Sequence, residues 1–394
     1  MIHICFALHD NDGEYSKYTA TAICSVLENT FSDVTVHLFC DETLSSENIN
    51  LFRQLVGRYN KNIVVYTLDS GVFYAQNIKV GSCSIGTLFR LKMADLLPDD
   101  VKKVIYLDSD VVVNLDIRAL WDIDLGENFI AAKAFAENSY WMCRKQFVPV
   151  NEYFNAGVLL LDLEKIRCQM SLWDMAMDFF IRYPNCQFAD NDALNYVFKG
   201  RTRFLDDRFN SFSSQVTDEE VNKIYHFAGD FVNPLQNNVA SKLFFSYFIK
   251  TPWGTAEAVE KYYVKAVRHY HRQLTMYQKI LAKFASKANV RCILFGASGR
   301  LNKNLYELIS HKDIDYYVDN NCAGEHTENS IPVLLPDVLK KEKRGSFIVI
   351  VSSIAYYNDI KLQLESYGLK EDEDFFDGRW LLTIEQGGYD SQKQ

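Results

Sequence analysis

The chain has no run of about 18 apolar residues, the length a helix needs to cross a bilayer, so no membrane-spanning helix is expected. It has no Cys-x-x-Cys. Its nine cysteines are scattered and odd in number, which argues against a structural zinc module and fits a reducing compartment. The opening Met1-Ile2-His3-Ile4-Cys5-Phe6-Ala7 enters an apolar strand directly, with no basic region and no small-residue cleavage site, so no secretory leader is expected. With a formal net charge of -9 there is no general positive excess to attract nucleic acid. Together these absences predict a cytoplasmic protein.

Of what is present, the 394 residues suit two or three domains, and 48% hydrophobic with 24% charged residues is ordinary for a globular protein. Aromatics are plentiful, with 23 Tyr and 27 Phe. Sugar-handling surfaces use such rings, but so do cores. The charge is uneven. Lys250 to Arg291 holds nine basic residues against Glu257 and Glu260, a net +7 that leaves -16 elsewhere. Tyr262, Tyr263, Tyr270 and Tyr277 interleave those charges. The default reading is a solvated helix face between domains. The other is a peripheral contact with the inner face of an anionic membrane, through residues 250–291.

The informative stretch is Lys102-Lys103-Val104-Ile105-Tyr106-Leu107-Asp108-Ser109-Asp110-Val111-Val112-Val113. Its short apolar run fits a buried strand. In extended backbone Asp108 and Asp110 leave on one face, where two carboxylates repel unless a cation lies between them. A divalent metal carrying a diphosphate would fill that role. Asp-x-Asp alone says little, because the spacing also occurs at 10/12, 122/124, 190/192, 313/315 and 372/374, and Asp favours turns and helix starts. The 108/110 pair differs in lying between two apolar segments, a costly place for unpaired charge.

Strand and helix patterns alternate along the first part of the chain. Strands are predicted at 2–8, 34–39 and 63–68, and helices at 18–27, 45–59 (capped by Ser45 or Ser46) and 87–97, the last closed by Pro98. This is the pattern of a parallel sheet covered by helices, in which ligands sit at the carboxyl ends of strands. Asp10, Asn11, Asp108 and Asp110 fall at such ends. Further strands are predicted at 129–135, after a loop through 153–157, and at 224–229, with helices at 172–182 and from the polar cap at 188–192. A helix over 257–287 presents Val264, Val267, Leu274, Ile280, Leu281 and Phe284 as one apolar face. A second α/β pattern starts at Val290. It has strands at 291–295, 314–318 and 346–351, a glycine turn Gly296-Ala297-Ser298-Gly299 leading into a helix through Ile309, and Asp319 at a strand end. The turn is only part of a dinucleotide fingerprint, because Gly-x-Gly-x-x-Gly needs glycine at 298 and 301, which are Ser and Leu. The expected architecture is α/β, with a larger α/β domain over 1–250, a basic connecting helix over 251–289 and a smaller Rossmann-like domain over 290–394.

Six segments in order resemble the retaining glycosyltransferases of family 8, which include bacterial lipopolysaccharide hexosyltransferases and glycogenin. They are Ile4 to Asn11, Phe89-Arg90-Leu91, Val104 to Asp110, Tyr153 to Leu161, Phe188 to Asn195 and Tyr225 to Gly229. The resemblance covers about the first 250 residues. It implies a GT-A-type fold with a mixed, mostly parallel sheet. It places Ala7, His9 and Asn11 against the uracil and ribose of a UDP-sugar, and Asp108, Asp110 and His226 on Mn2+, with Ser109 between them in the donor site. Arg90, Asn155, Asp190 and Asn191 would surround the donor sugar, the last three being the catalytic candidates. The carboxylate and imidazole set suits Mn2+ better than Mg2+ or Ca2+, because imidazole is the softer ligand. Several positions depart from the family's pattern. His9 stands in place of Asp, Asn191 in place of Gln, and Phe135 near a usual Asp. The Lys that follows the family's His and neutralises the diphosphate is absent, with Lys242 the nominated replacement.

Taken singly, His226 reads as a core histidine, Asp190 as a helix N-cap, Asn155-Ala156-Gly157 as a turn and Arg90 as an exposed helix residue. Read together through the resemblance, they imply a Mn2+-dependent retaining hexosyltransferase. It would move glucose or galactose from UDP-glucose or UDP-galactose to a surface glycan or glycolipid such as lipopolysaccharide or capsule. Asp190 is the one carboxylate nominated as a nucleophile, and same-face attack is preferred. The competing readings are a nucleotide-sugar-binding module without catalysis and an oxidoreductase activity in the terminal domain, which would otherwise be a scaffold or a homo-oligomer contact.

Overall fold

A computed structural model of the chain describes residues 1–80, 83–135, 149, 152–186, 188–213, 222–228, 232–286, 290–297, 314–321, 323–324, 331–353 and 356–378. The chain forms two compact units, which divide between Tyr263 and Val264.

The first unit is built on β1 (Ile2–Leu8), β2 (Val34–Asp41), β3 (Asn62–Leu68), β4 (Lys103–Leu107), β6 (Ile130–Ala134), β7 (Phe154–Asp162) and β8 (Thr202–Phe204). They form a sheet in the order β3-β2-β1-β4-β7-β6-β8. β1, β2, β3 and β4 run parallel, whereas β7 is antiparallel to both β4 and β6. The sheet is therefore mixed and mostly parallel. Alternate residues of the central strands feed two cores. Ile4, Phe6, Ile105 and Leu107 enter one, and Cys5, Val104 and Tyr106 the other, as the two-residue period of a strand covered on both faces requires.

A second, three-stranded sheet, β5 (Val111–Val113), β9 (Ser211–Phe212) and β10 (Ile224–His226), stands beside it. β10 is antiparallel to β5, with His226 opposite Val111. That register sets His226 next to Asp110.

Several elements differ from expectation. The acidic pair lies in a turn after β4 and not in extended backbone, so the turn and the pairing of β5 bring the carboxylates together. Asn155-Ala156-Gly157 is not a loop but the start of β7. The segment predicted as a helix at 87–97 opens as a 3-10 helix over Ile85–Lys92 before turning α-helical at Met93–Leu96. Of the two serines expected to cap the helix Ser46–Gly57, Ser45 does so, accepting from the Asn48 amide.

The basic helix runs from Ala256 to Ser286. Its buried residues include Tyr262, Ala266, Gln273, Met276 and Ile280, while Val264, Val267, Leu274 and Leu281 are exposed. Of the predicted apolar face Ile280 is buried as expected and the Phe284 side chain lies outside the described residues, but the other four members are exposed, so the inward stripe lies about one residue around the helix. Tyr, Ala and Gln occupy the inward stripe, where the apolar pattern was expected from Val and Leu. No helix among the described residues is long and apolar enough to cross a membrane.

In the second unit β11 (Arg291–Phe295), β12 (Ile314–Val318), β13 (Val333–Leu334), β14 (Phe347–Val351) and β15 (Phe375–Asp377) form an all-parallel sheet ordered β13-β12-β11-β14-β15. Gly296 ends β11 at φ 109°, a backbone that favours glycine. Asp319 accepts from the Ala297 amide at 2.9 Å and from Asn321 at 2.8 Å, so part of its carboxylate closes the glycine turn. The rest of that turn, the helix through Ile309 and Gly229 lie outside the described residues.

Candidate active site

The site forms where β1, β4, β7 and β10 end or begin. The Asp108 amide donates to the Gly157 carbonyl at 2.8 Å, and the Phe227 amide to the Asp110 carbonyl at 3.0 Å. These two backbone bonds tie the acidic turn to β7 and β10. His226 Nε2 lies 3.2 Å from Asp110 Oδ1 and 3.7 Å from Asp108 Oδ2. The three ligand atoms lie within 4.8 Å of one another. Neighbouring ligands of a six-coordinate divalent ion stand about 3 Å apart, so two carboxylates and an imidazole at these separations fit one ion. His226 is only 2% exposed, and the two Asp side chains are about a quarter exposed at 23% and 26%. The ligands are thus fixed on the protein side and open on the other.

Burial works against a charged His226, but Asp110 and Asp108 outweigh it and raise the ring above the ordinary imidazole value. A metal takes the neutral ring, so binding displaces a proton. Apparent affinity for a divalent ion is therefore expected to climb with pH and level off above the raised His226 value. Calorimetry in buffers of different ionisation heats measures the proton released, and an affinity flat across that range contradicts this.

Gly157 is part of the site by having no side chain. A Cβ built there would lie 2.2 Å from His226 Cε1 and 2.8 Å from Asp108 Oδ2. Gly157→Ala must push the ring off the carboxylates, and is expected to weaken divalent-ion binding at least about tenfold. Mn2+ titration of the folded variant checks this.

Arg90 is buried and bridges two acids. Its Nη2 donates to Asp108 Oδ1 at 2.7 Å, its Nε lies 3.1 Å from Asp190 Oδ2, and its Nη1 donates to the Ala156 carbonyl at 3.0 Å. The guanidinium lies 4.4 Å from the Tyr106 ring centre, and the Tyr106 hydroxyl donates to Asp108 at 2.9 Å. Burial opposes the Arg90 charge, but Asp108 and Asp190 outweigh it. For Asp190, burial pushes the carboxyl up, and Arg90 and the Thr87 hydroxyl pull against it. The helix Ala189–Val197 has no side-chain cap at Phe188; Asp192, inside its first turns, accepts from the Phe188 amide at 3.1 Å and from the Tyr153 hydroxyl. Asp190 is left for Arg90.

Asn191 is engaged at both ends. It accepts from the Ala156 amide at 2.7 Å and donates to the Tyr153 hydroxyl at 2.8 Å and the Phe154 carbonyl at 3.1 Å. Asn155 accepts from the Gly157 amide and from Asn210, both at 2.9 Å. At the end of β1, Ala7 is half-buried. The next residue but one, His9, has both ring nitrogens in use, one on Asp41 and one on Asn11 at 2.8 Å. Ser109 is held by the Thr19 hydroxyl at 2.8 Å. Asp10 does not turn to the acidic pair. Its carboxylate accepts from Tyr15 and Ser16 and starts the helix Glu14–Asn29. Phe135 stacks on Phe212 at 5.5 Å, and Phe212 lies 5.8 Å from the His226 ring, an apolar wall beside the histidine. Lys242 is exposed on the helix Val239–Phe248. Sequence reasoning missed Thr87, Tyr106, Asp192 and Asn210. The first three sit within or next to motifs, whereas Asn210 has no motif at all.

Residues 4–231 match the glycosyl transferase family 8 profile. That is more than half of the chain, which belongs to this family and is a glycosyltransferase with a GT-A-like fold. It is similar to the lipopolysaccharide 1,3-galactosyltransferase of Salmonella typhimurium, 29% identical over 262 residues, 62% of this chain and 72% of that one. It is 26% identical to the lipopolysaccharide 1,2-glucosyltransferase of Escherichia coli over 228 residues, 55% of this chain and 65% of that one. Among solved structures, the galactosyltransferase LgtC in complex with donor and acceptor sugar analogs superposes with a TM-score of 0.56 at 26% identity, over 66% of this chain and 100% of that one. The chain spans 62% of the length of a Haemophilus influenzae relative, so a sizeable part of some relatives has no counterpart in the match.

Proposed function

We propose that the chain is a retaining hexosyltransferase that moves glucose or galactose from a UDP-sugar to a surface-glycan acceptor such as lipopolysaccharide or capsule, with Mn2+ on Asp108, Asp110 and His226. The observation that carries this is the convergence of those three ligands at the end of β4, in a family member whose relatives are named lipopolysaccharide galactosyl- and glucosyltransferases. When bound, the ion supplies Lewis acidity for the charge that gathers on the departing diphosphate. Imidazole beside two carboxylates favours Mn2+ over the harder Mg2+. Ala7, His9 and Asn11 provide the base and ribose side of the donor site, and Ser109 lies in it between the two metal-binding carboxylates. Arg90 holds Asp108 in place and keeps its positive charge near the reacting end.

Both oxygens of Asp190 are engaged, by Arg90 and Thr87, and Asn191 is spent on backbone. Neither is set up as a ready nucleophile, which supports attack on the same face as the leaving diphosphate, an oxygen of which takes the acceptor's proton. Incubating the full chain with Mn2+ and a panel of UDP-sugars tests the proposal. Release of UDP from UDP-glucose or UDP-galactose is expected. Tight donor binding with no release over hours would instead identify a nucleotide-sugar-binding module.

A further inference from the structure

We propose that Asn210 is a positioning residue that fixes the ring of His226 in the one tautomer able to bind metal. The inference rests on the metal reading above and adds the group that enforces it. The chain of hydrogen bonds can be read in one direction only. It starts at the Gly157 backbone N–H, which can only donate. The Asn155 side-chain atom it meets at 2.9 Å is therefore the oxygen. That same oxygen is 2.9 Å from Asn210, so the Asn210 atom facing it is the amide nitrogen. The other Asn210 atom is then the carbonyl oxygen, and it lies 3.0 Å from His226 Nδ1. An oxygen there accepts, so Nδ1 carries the hydrogen. Asp108 and Asp110 face Nε2 and, with no ion between them, draw a proton to that nitrogen; the Asn210 oxygen opposes them by holding the hydrogen of the neutral ring on Nδ1, which leaves the Nε2 lone pair for the ion.

Asn210 is 0% exposed and His226 2% exposed, so water does not compete for these bonds. The backbone of Asn210 is pinned as well. Its amide donates to the Asp207 carbonyl at 3.2 Å and its carbonyl accepts from Lys133 at 2.9 Å. Groups that orient a ligating histidine through its second nitrogen are generally worth about 10–100-fold in metal affinity. Asn155 thereby acquires a definite role, transmitting the polarity of a backbone N–H to the metal site two side chains away.

The test compares Asn210→Leu, which keeps the volume and removes the acceptor, with Asn210→Asp, which keeps an acceptor for Nδ1–H and loses the bond to Asn155. In full-length protein with 15N-labelled histidine, metal-free and above the imidazole titration range, NMR reports the tautomer directly, with His226→Gln assigning the signal. The wild type and Asn210→Asp are expected in the Nδ1–H form, and Asn210→Leu in a mixture or the Nε2–H form. Mn2+ affinity, followed by the electron-spin signal of free Mn2+, is expected to fall about 10–100-fold in Asn210→Leu and to stay within a few-fold in Asn210→Asp, even though both melt lower. Asn210→Leu with wild-type tautomer and affinity would overturn the proposal, as would Asn210→Asp losing both as fully as Leu. A wild type showing the Nδ1–H tautomer but no Mn2+ binding leaves the positioning intact and sinks the metal reading instead.

Discussion

Asp110→Asn is expected to lower Mn2+-dependent release of UDP from a UDP-sugar by about a hundred- to a thousandfold, with the fold intact. The charge is the reason. Stabilising a departing diphosphate through a metal is worth several kcal/mol, and each 1.36 kcal/mol is about tenfold in rate. The amide keeps the size of the carboxylate but halves the anionic charge of the ligand set and loses the pair with His226 Nε2 at 3.2 Å. The side chain is 26% exposed, and the buried His226 ring it leaves keeps Asp108 at 3.7 Å as a partner and can stay neutral, so the metal-free variant should melt close to the wild type. The separation between metal and fold is visible in one further measurement. Mn2+ should raise the melting temperature of the wild type, because it binds the native state, and should not raise that of the variant. Unchanged turnover in Asp110→Asn, or a metal-induced shift of wild-type size, would remove the acidic pair from the chemistry.

Much of this is readable in the sequence, for physical reasons that also show where reading stops. The alternating apolar strands and helices of the first unit, and the parallel strands at 291–295, 314–318 and 347–351, follow from local patterns and recur in the structure. The Asp-x-Asp spacings at 10/12 and 122/124 behave as local chemistry suggests. Asp12 and Asp124 accept from amides two residues on, Asp10 starts a helix, and Asp122 pairs with Arg118 one helical turn away. Register is what local patterns do not carry. His226 reaches Asp110 only because β10 pairs with β5 at Val111, more than a hundred residues away in sequence, and three-residue strands carry almost no local signal. Asn210 is the extreme case. It sits between a 3-10 turn and a two-residue strand, where Asn is common in any protein, and its meaning comes from Asn155 and His226 on other elements. The inward stripe of the basic helix escapes for a simpler reason: the packing uses Tyr, Ala and Gln where an apolar pattern is sought in Val and Leu.

Arg90→Met is expected to be the most destabilising of the substitutions considered, costing about 3–5 kcal/mol in urea or guanidinium unfolding. Arg90 and Asp190 side chains are each only 7% exposed, so removing the guanidinium strands a buried carboxylate, and it also removes the donor to the Ala156 carbonyl at the mouth of β7. The alternative, that this is a surface pair worth about 0–1 kcal/mol, is argued against by the burial and by the multiple bonds from one planar group. Lysine is not expected to rescue, because a single ammonium cannot reach Asp108, Asp190 and Ala156 together. The diagnostic result is the double variant. If the cost comes from a stranded charge, Asp190→Asn placed on top of Arg90→Met should restore stability, giving a variant more stable than Arg90→Met alone. If instead Arg90 matters through its packing on Tyr106, the two substitutions will add, and the double variant will be the weaker. Recovery in the double variant together with lost turnover would show that Asp190 and Arg90 are needed as a pair in the working enzyme, even though the fold can dispense with both.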